Sequence, residues 1–309
     1  MKKEFPGFYP LSDSEKESFW ENAIIVLDTA FLLDLFRLKS ESSNIVFSIL
    51  ENSNIKDKLW IPYDVAWLYH QSVNNEILIQ IENIQTALRN LTSCKEAIIG
   101  KKCFPYFDNS IIERLNCLSH IISRKSVEQI NILSNSLSTD EKKERINELF
   151  KETENNKKIG ESYGEAELNE IYLLSQKRYS DLIPPGYSAE AHSQQRVMYH
   201  DMIVWKQLQK HAKDTHKDII MIMGHNRKDW FYIVNENVIS PRHEIINEFA
   251  KETEQKFYCL TSYDFIKKCS VRYGIEITDD LLEELAANAG TSSSFNSQVS
   301  INRSENSTC

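Results

Sequence analysis

The sequence predicts an α/β chain in which helices cover a parallel sheet, and three observations carry that expectation. Four short runs are apolar on successive residues: "AIIVL" (23–27), "LWIP" (59–62), "DIIMIM" (218–223) and "KFYCL" (256–260). Strands buried on both faces of a parallel sheet must read this way. Each run is followed by apolar residues at helical spacing, the alternation of a sheet wound with helices. Finally, the first run stops at Asp28, and the carboxyl ends of strands in an open parallel sheet face the crevice where ligands sit.

Length and composition allow this fold. A chain of 309 residues that is 41% hydrophobic can bury a sizeable core. The stretch "AIIVLDTAFLLDLF" (23–36) is the nearest approach to a membrane span, but Asp28, Asp34 and Arg37 interrupt it, well below the roughly 18 apolar residues that a span needs. No membrane partner is expected, and the lack of a leader pattern predicts a cytoplasmic protein. Cysteines at 94, 103, 117, 259, 269 and 309 form no CxxC pair. They read as reduced thiols, and zinc is not expected.

A net charge of -9 argues against a general nucleic-acid coat, because counterion release needs clustered cations. A local basic groove stays open at "KQLQKHAKDTHK" (206–217) and at "NRKDW" (226–230). The first of these also reads as a helix end whose cations suit the dipole.

Taken in order, the first strand leads through Asp28 into the helix pattern "TAFLLDLF", and the second into "YDVAWLYHQ". The region 70–158 then holds no strand signal. "NNEILIQIENIQTALRNL", "VEQINILSNSL" and "EKKERINELFKETENNKK" are amphipathic, and "FPYFDNS" interrupts them at Pro105. A helical insertion is expected, an arm or lid, since a structureless loop of that length inside a domain is improbable. Extra packing layer, substrate contact and protein-partner contact are all open roles for it. The third strand follows "YHDMIVWKQL", a helix that Asp201 opens, and the fourth precedes "TSYDFIKK". One domain over 1–285, including the insertion, and a disordered tail over 286–309 rich in Ser and Asn complete the organisation.

A metal that handles phosphate needs several oxygen ligands brought from different element ends. Asp28 and Asp201 are the first candidates; taken alone Asp201 reads first as an acid stabilising a helix N-terminus, and Asp28 beside it brings the ligand reading level. His225, after Gly224, reads as a residue that orients water or meets a phosphate, or simply as a polar turn residue. Tryptophans 60, 67, 205 and 230 read as core, with base stacking the alternative.

"NAIIVLDTAFLLDLF", "LWIPYDVAWLYHQ", "RYSDLIPPGY", "YHDMIVWKQL", "NRKDW" and "SPRHEIINEFAKETEQKFYCLTSYDFIKK" together resemble the bacterial PIN-like domain family. The resemblance runs from about Phe5 to Tyr273. It implies a three-layer α/β/α fold and a metal-dependent endoribonuclease that hydrolyses RNA phosphodiesters with Mg²⁺ or Mn²⁺. It assigns Asp28 and Asp201 as metal-binding, catalytic acids; Thr29, His225, Arg227 and Lys228, in or beside the same motifs, are candidate substrate contacts.

The chain departs from the family pattern at several positions. Ala30 stands where Asn is usual, Leu68 where a helix Glu is usual, and Met223, Gly224 and His225 where Thr-Asp-Asp is usual. Ser188 and Ala189 replace a lysine and an aspartate. Two of the usual four acids remain; Asp64 and Glu190 are nearby candidates for substitutes, while Asp229, where the family usually has an acid before Trp, reads as structural, a capping or pairing acid. The resemblance therefore also admits a degenerate pseudonuclease that binds a protein partner through the helical insertion, in a bacterial defence or toxin-type system.

Overall fold

A computed structural model of the protein describes residues 1, 4–9, 11–99, 108–137, 141–152, 157–188 and 192–289. Pro105, Ala189, Glu190, Cys103 and the tail from 290 lie outside the described residues. After a short 3-10 turn (Pro6–Phe8) come α1 (Asp13–Asn22), β1 (Ile24–Leu27), α2 (Thr29–Arg37), α3 (Ser40–Glu51), α4 (Ser53–Lys56) and β2 (Leu59–Trp60). Three helices follow: α5 (Tyr63–Ile99), α6 (Asn109–Ser136) and α7 (Glu141–Leu149). The chain continues through α8 (Glu165–Ser180), α9 (Gln195–Met198), α10 (His200–Thr215), β3 (Ile219–Met223), β4 (Phe231–Val234) and β5 (Asn237–Pro241). It closes with α11 (His243–Thr253), β6 (Phe257–Thr261), α12 (Ser262–Tyr273) and α13 (Asp279–Asn288).

The central sheet has the order β2-β1-β3-β6 and every pairing in it is parallel. The four apolar runs of the sequence are these four strands, and β1 and β3 are buried along their whole length. Helices α10 and α11 cover the sheet through an aromatic cluster. Trp205 stands edge-on to Trp230 and to Phe257, with ring centroids at 5.9 and 5.1 Å, an arrangement that favours the ring quadrupoles as well as burying area. Trp205 and Trp230 are fully buried and Trp60 is 6% exposed. The core reading of these three tryptophans therefore holds.

The β4–β5 hairpin was not anticipated. "FYIVNENVIS" alternates weakly, and the turn residues Asn235 and Glu236 adopt φ of 48° and 65°, the left-handed pair that a tight hairpin turn requires. No glycine marks the turn, so the usual signal is missing.

The chain divides into two compact units, one of Met1–Tyr69 with the residues from Arg145 onward, the other His70–Glu144. Among its described residues the second unit is helical except at Asp108 and Leu137, and it ends at Glu144, within the insertion expected over 70–158. The reason lies in the segment after it: Ile146, Leu149 and Phe150 are buried, Arg145 forms a bidentate pair with Glu51, and Lys158 donates to the Lys56 and Leu149 carbonyls. Ile61 and Ile159 form a parallel bridge at the edge of β2. Helix α13 also passes the boundary expected at 286, because Leu281 and Leu285 are buried on it. No helix among the described residues is long and apolar enough to cross a membrane, and the four described cysteines are free thiols.

Candidate active site

The crevice lies where β1 and β3 end side by side. Leu27 pairs with Ile222, so Asp28 follows its strand at the point where Gly224 follows its own. Asp28 is the N-cap of α2: its Oδ1 accepts from the Ala30 amide. Its Oδ2 accepts from the Gly224 amide at 3.2 Å. Burial raises the Asp28 pKa above the ordinary 3.8, Asp201 adds to the rise, and the two amides and His225 oppose it. The carboxylate therefore serves first as the cross-link between helix and strand.

Asp201 sits in the first turn of α10, where a carboxylate suits the helix dipole. Its Oδ2 meets Arg227 Nη1 at 2.7 Å, with the two side chains only 14% and 26% exposed. The other nitrogen of the same guanidinium, Nη2, lies 2.8 Å from Asp229 Oδ2. Arg227 thus bridges two acids. Burial opposes the charged guanidinium, but Asp201, Asp229 and Asp28 outweigh it, and the arginine is held well above its ordinary pKa.

Asp229 is fully buried. Besides Arg227 it accepts from the Gly186 amide at 2.7 Å and from the Ser188 hydroxyl at 2.5 Å. The "RYSDLIPPGY" motif explains how these donors arrive there. Arg178 pairs with Glu248 at 2.7 Å and donates to the Pro184 carbonyl, and Gly186 adopts φ +96° against the Tyr179 hydroxyl, where a Cβ would collide. That glycine is needed both for its backbone region and for the close approach. The motif is a clasp that closes onto Asp229.

Asp64 forms a second knot. It is fully buried, 2.7 Å from Arg196 Nε, and accepts from Gln207 Nε2 at 3.0 Å. Arg196 lies over the Trp67 ring, its carbon 4.6 Å from the centroid, and His200 reaches the Asp64 carbonyl oxygen. Asp64 is therefore committed to its own arginine, and so it does not substitute for a missing ligand.

The other residues named from the sequence are placed as follows. Thr29 is buried and its hydroxyl donates to the Val65 carbonyl at 3.4 Å, which turns it into the packing between α2 and α5. Arg227 is spent on two carboxylates. Lys228 is exposed, while its carbonyl accepts from Arg242 at 3.0 Å. His225 is half-buried and acts on Asp28 electrostatically. Leu68 is half-buried and offers no oxygen. The cations of 206–217 are largely used locally: Lys206 bonds Gln209 at 3.0 Å, and Lys213 approaches Glu252 at 3.8 Å.

These donors do not fit a divalent ion. Such an ion needs several free oxygens, and here the Asp28 oxygens hold amides while Asp201 and Asp229 hold a guanidinium. Among the described residues no group of three or more His, Cys, Asp or Glu side chains is arranged to hold a metal. Sequence reasoning missed the bridging role of Arg227, although a signal was present: an arginine two residues before an acid in "NRKDW".

Compared with known proteins, residues 24–245 match the family model of a PIN-like domain, which is more than half of the 309 residues. Neither a curated protein nor a solved structure matches the chain.

Proposed function

The chain belongs to the PIN-like domain family, and from that premise we propose that it is a catalytically degenerate nuclease-fold protein that works as a binding or regulatory subunit. The observation that carries this reading is the Arg227 bridge. A guanidinium 2.7 Å from Asp201 and 2.8 Å from Asp229 supplies from within the chain the positive charge that a metal would bring. Unlike a metal, it neither activates water nor withdraws electrons from a phosphodiester.

The reading it displaces is a metal-dependent endoribonuclease, with Asp28 and Asp201 sharing Mg²⁺ or Mn²⁺ over an RNA phosphodiester. That chemistry requires Arg227 to leave Asp201 and Asp28 to give up its cap. Electrostatics point the same way. With Asp28, Asp201 and Asp229 set against one arginine, the crevice is not attractive to phosphate. The partner is accordingly a protein rather than RNA.

The test uses Mn²⁺ as the probe. Melting of the parent chain should be insensitive to Mn²⁺, whereas Arg227→Met, which leaves the carboxylates unbridged, should be stabilised by it, since an ion that binds only the folded state raises the midpoint. Mn²⁺-dependent cleavage of mixed RNA by the parent, lost in Asp201→Asn, would overturn the proposal.

A further inference from the structure

The helical unit carries more apolar surface than its own helices use. Helix α5 has one half-buried stripe, Ile81, Ile84, Leu88 and Leu91 following buried Ile77. Helix α6 has a comparable stripe through Ile112, Leu115, Ile130 and Leu133. Beside that stripe α6 presents a second one to solvent: Ile111, Leu118, Ile121, Ile122 and Ile132, exposed by 44 to 57%. At about 100° per residue these five share one side of the helix, over a length of roughly 31 Å. Lys125 and Gln129 interrupt the row between Ile122 and Ile132, so its apolar centre is the cluster of Leu118, Ile121 and Ile122; single exposed apolar residues are ordinary, but a cluster is a contact surface.

We propose that the stripe is covered by the same stripe of a second copy of this chain, the two α6 helices lying antiparallel about a two-fold axis at Ile121 and Ile122. Two features identify the occupant. The ends and the centre of the row are related by this axis, so that Ile111 of one copy comes level with the partner's Ile132 and the central isoleucines meet each other, while Leu118 comes level with the aliphatic stem of the partner's Lys125. This self-matching is what an isologous contact demands. Charge follows the same symmetry. Arg114 and Glu128 lie nearly equidistant from the centre and on the flank shared with Ile121 and Ile132. A two-fold axis places that flank beside its own copy, so each Arg114 faces the partner's Glu128. Glu128 already holds Lys125 at 2.8 Å, which fixes the carboxylate at the seam. Completed in this way, the arm becomes a bundle of helices with its apolar rows inside. The inference is independent of whether the crevice cleaves RNA.

A helix pair of this size buries roughly 1,200 Å² or less, the small end of specific interfaces, so a dissociation constant in the micromolar range is expected. Sedimentation equilibrium of the full chain, from about 1 to about 200 µM, tests it. A monomer–dimer equilibrium is expected, weakened at least about tenfold by Leu118→Glu and by Ile121→Glu, with circular dichroism unchanged because both side chains are exposed. Arg114→Glu should weaken it as well, and Arg114→Glu with Glu128→Arg should recover most of the loss. A monomer across the whole range overturns the proposal. So does a dimer indifferent to Leu118→Glu and Ile121→Glu, while a charge exchange that recovers nothing overturns the antiparallel pairing.

Discussion

A Cβ placed on Gly224 would lie 2.5 Å from the carbonyl carbon of Ala30 and 2.8 Å from its Cβ. The end of β3 and the first turn of α2 therefore touch backbone to backbone. The contact lets the Gly224 amide reach Asp28, and it leaves no room for a side chain at 224.

Any side chain at 224 must push α2 away from the sheet. Gly224→Ala should lower stability by about 1–3 kcal/mol, the cost of overpacking a site that cannot yield. Gly224→Asp should be worse, because it adds a like charge beside Asp28 and Asp201. Thermal unfolding of the two variants checks this, and an unchanged midpoint in Gly224→Ala would show that the helix start is free to move.

The Arg227 bridge should behave as a coupled unit. Removing the arginine strands two carboxylates, one of them fully buried, and Arg227→Met should cost about 3–5 kcal/mol. Asp229→Asn should also be costly, since the Gly186, Ser188 and Arg227 donors lose a charged acceptor. Combining the two should cost clearly less than their sum, because an arginine without its buried acid has less left to lose. Urea unfolding of the three variants measures the coupling, and strict additivity would mean that Arg227 and Asp229 do not depend on each other.

What could be read in advance follows from what is local. The strands were legible because burial on both faces writes continuous apolar runs such as Ile24–Leu27 and Ile219–Met223. Asp28 was legible as a strand-end acid, and its place beside Gly224 follows from parallel pairing. The partners of the acids were not. Arg227 reaching Asp201, Arg196 reaching Asp64 and Gly186 reaching Asp229 are set by how separate loops fold over the sheet, and no periodicity records that. The β4–β5 hairpin was missed for a local reason: Asn235 and Glu236 make its turn with positive φ and no glycine.

Asp28 should leave a mark on the pH profile of stability. Its folded pKa is raised above the ordinary 3.8, chiefly by burial. Between 3.8 and that raised value the folded state holds a proton that the unfolded state has released. The term therefore favours folding at low pH and is lost as pH rises through the folded pKa. Asp28→Asn removes it. The stability of the parent minus that of Asp28→Asn should fall as pH rises across this window, and a difference that stays flat would mean that the carboxyl titrates normally.

His211 makes the opposite prediction. Its ring lies on that of Trp60, centroids 3.8 Å apart and planes within 4°. Burial depresses its pKa from 6.5 to about 4, a shift that Asp214 resists and Lys217 reinforces. Between these values the unfolded chain binds a proton that the folded chain excludes, so this term stabilises the fold above pH 6.5 and is lost as pH falls toward about 4. His211→Phe keeps an aromatic face on Trp60 and cannot titrate. On lowering the pH through that window, the parent should lose stability relative to His211→Phe, while Lys213→Gln, on the same helix but outside the stack, should track the parent. Parallel pH profiles for the parent and His211→Phe would show that the imidazole binds its proton equally in the folded and unfolded chains, and that the stack on Trp60 does not exclude it.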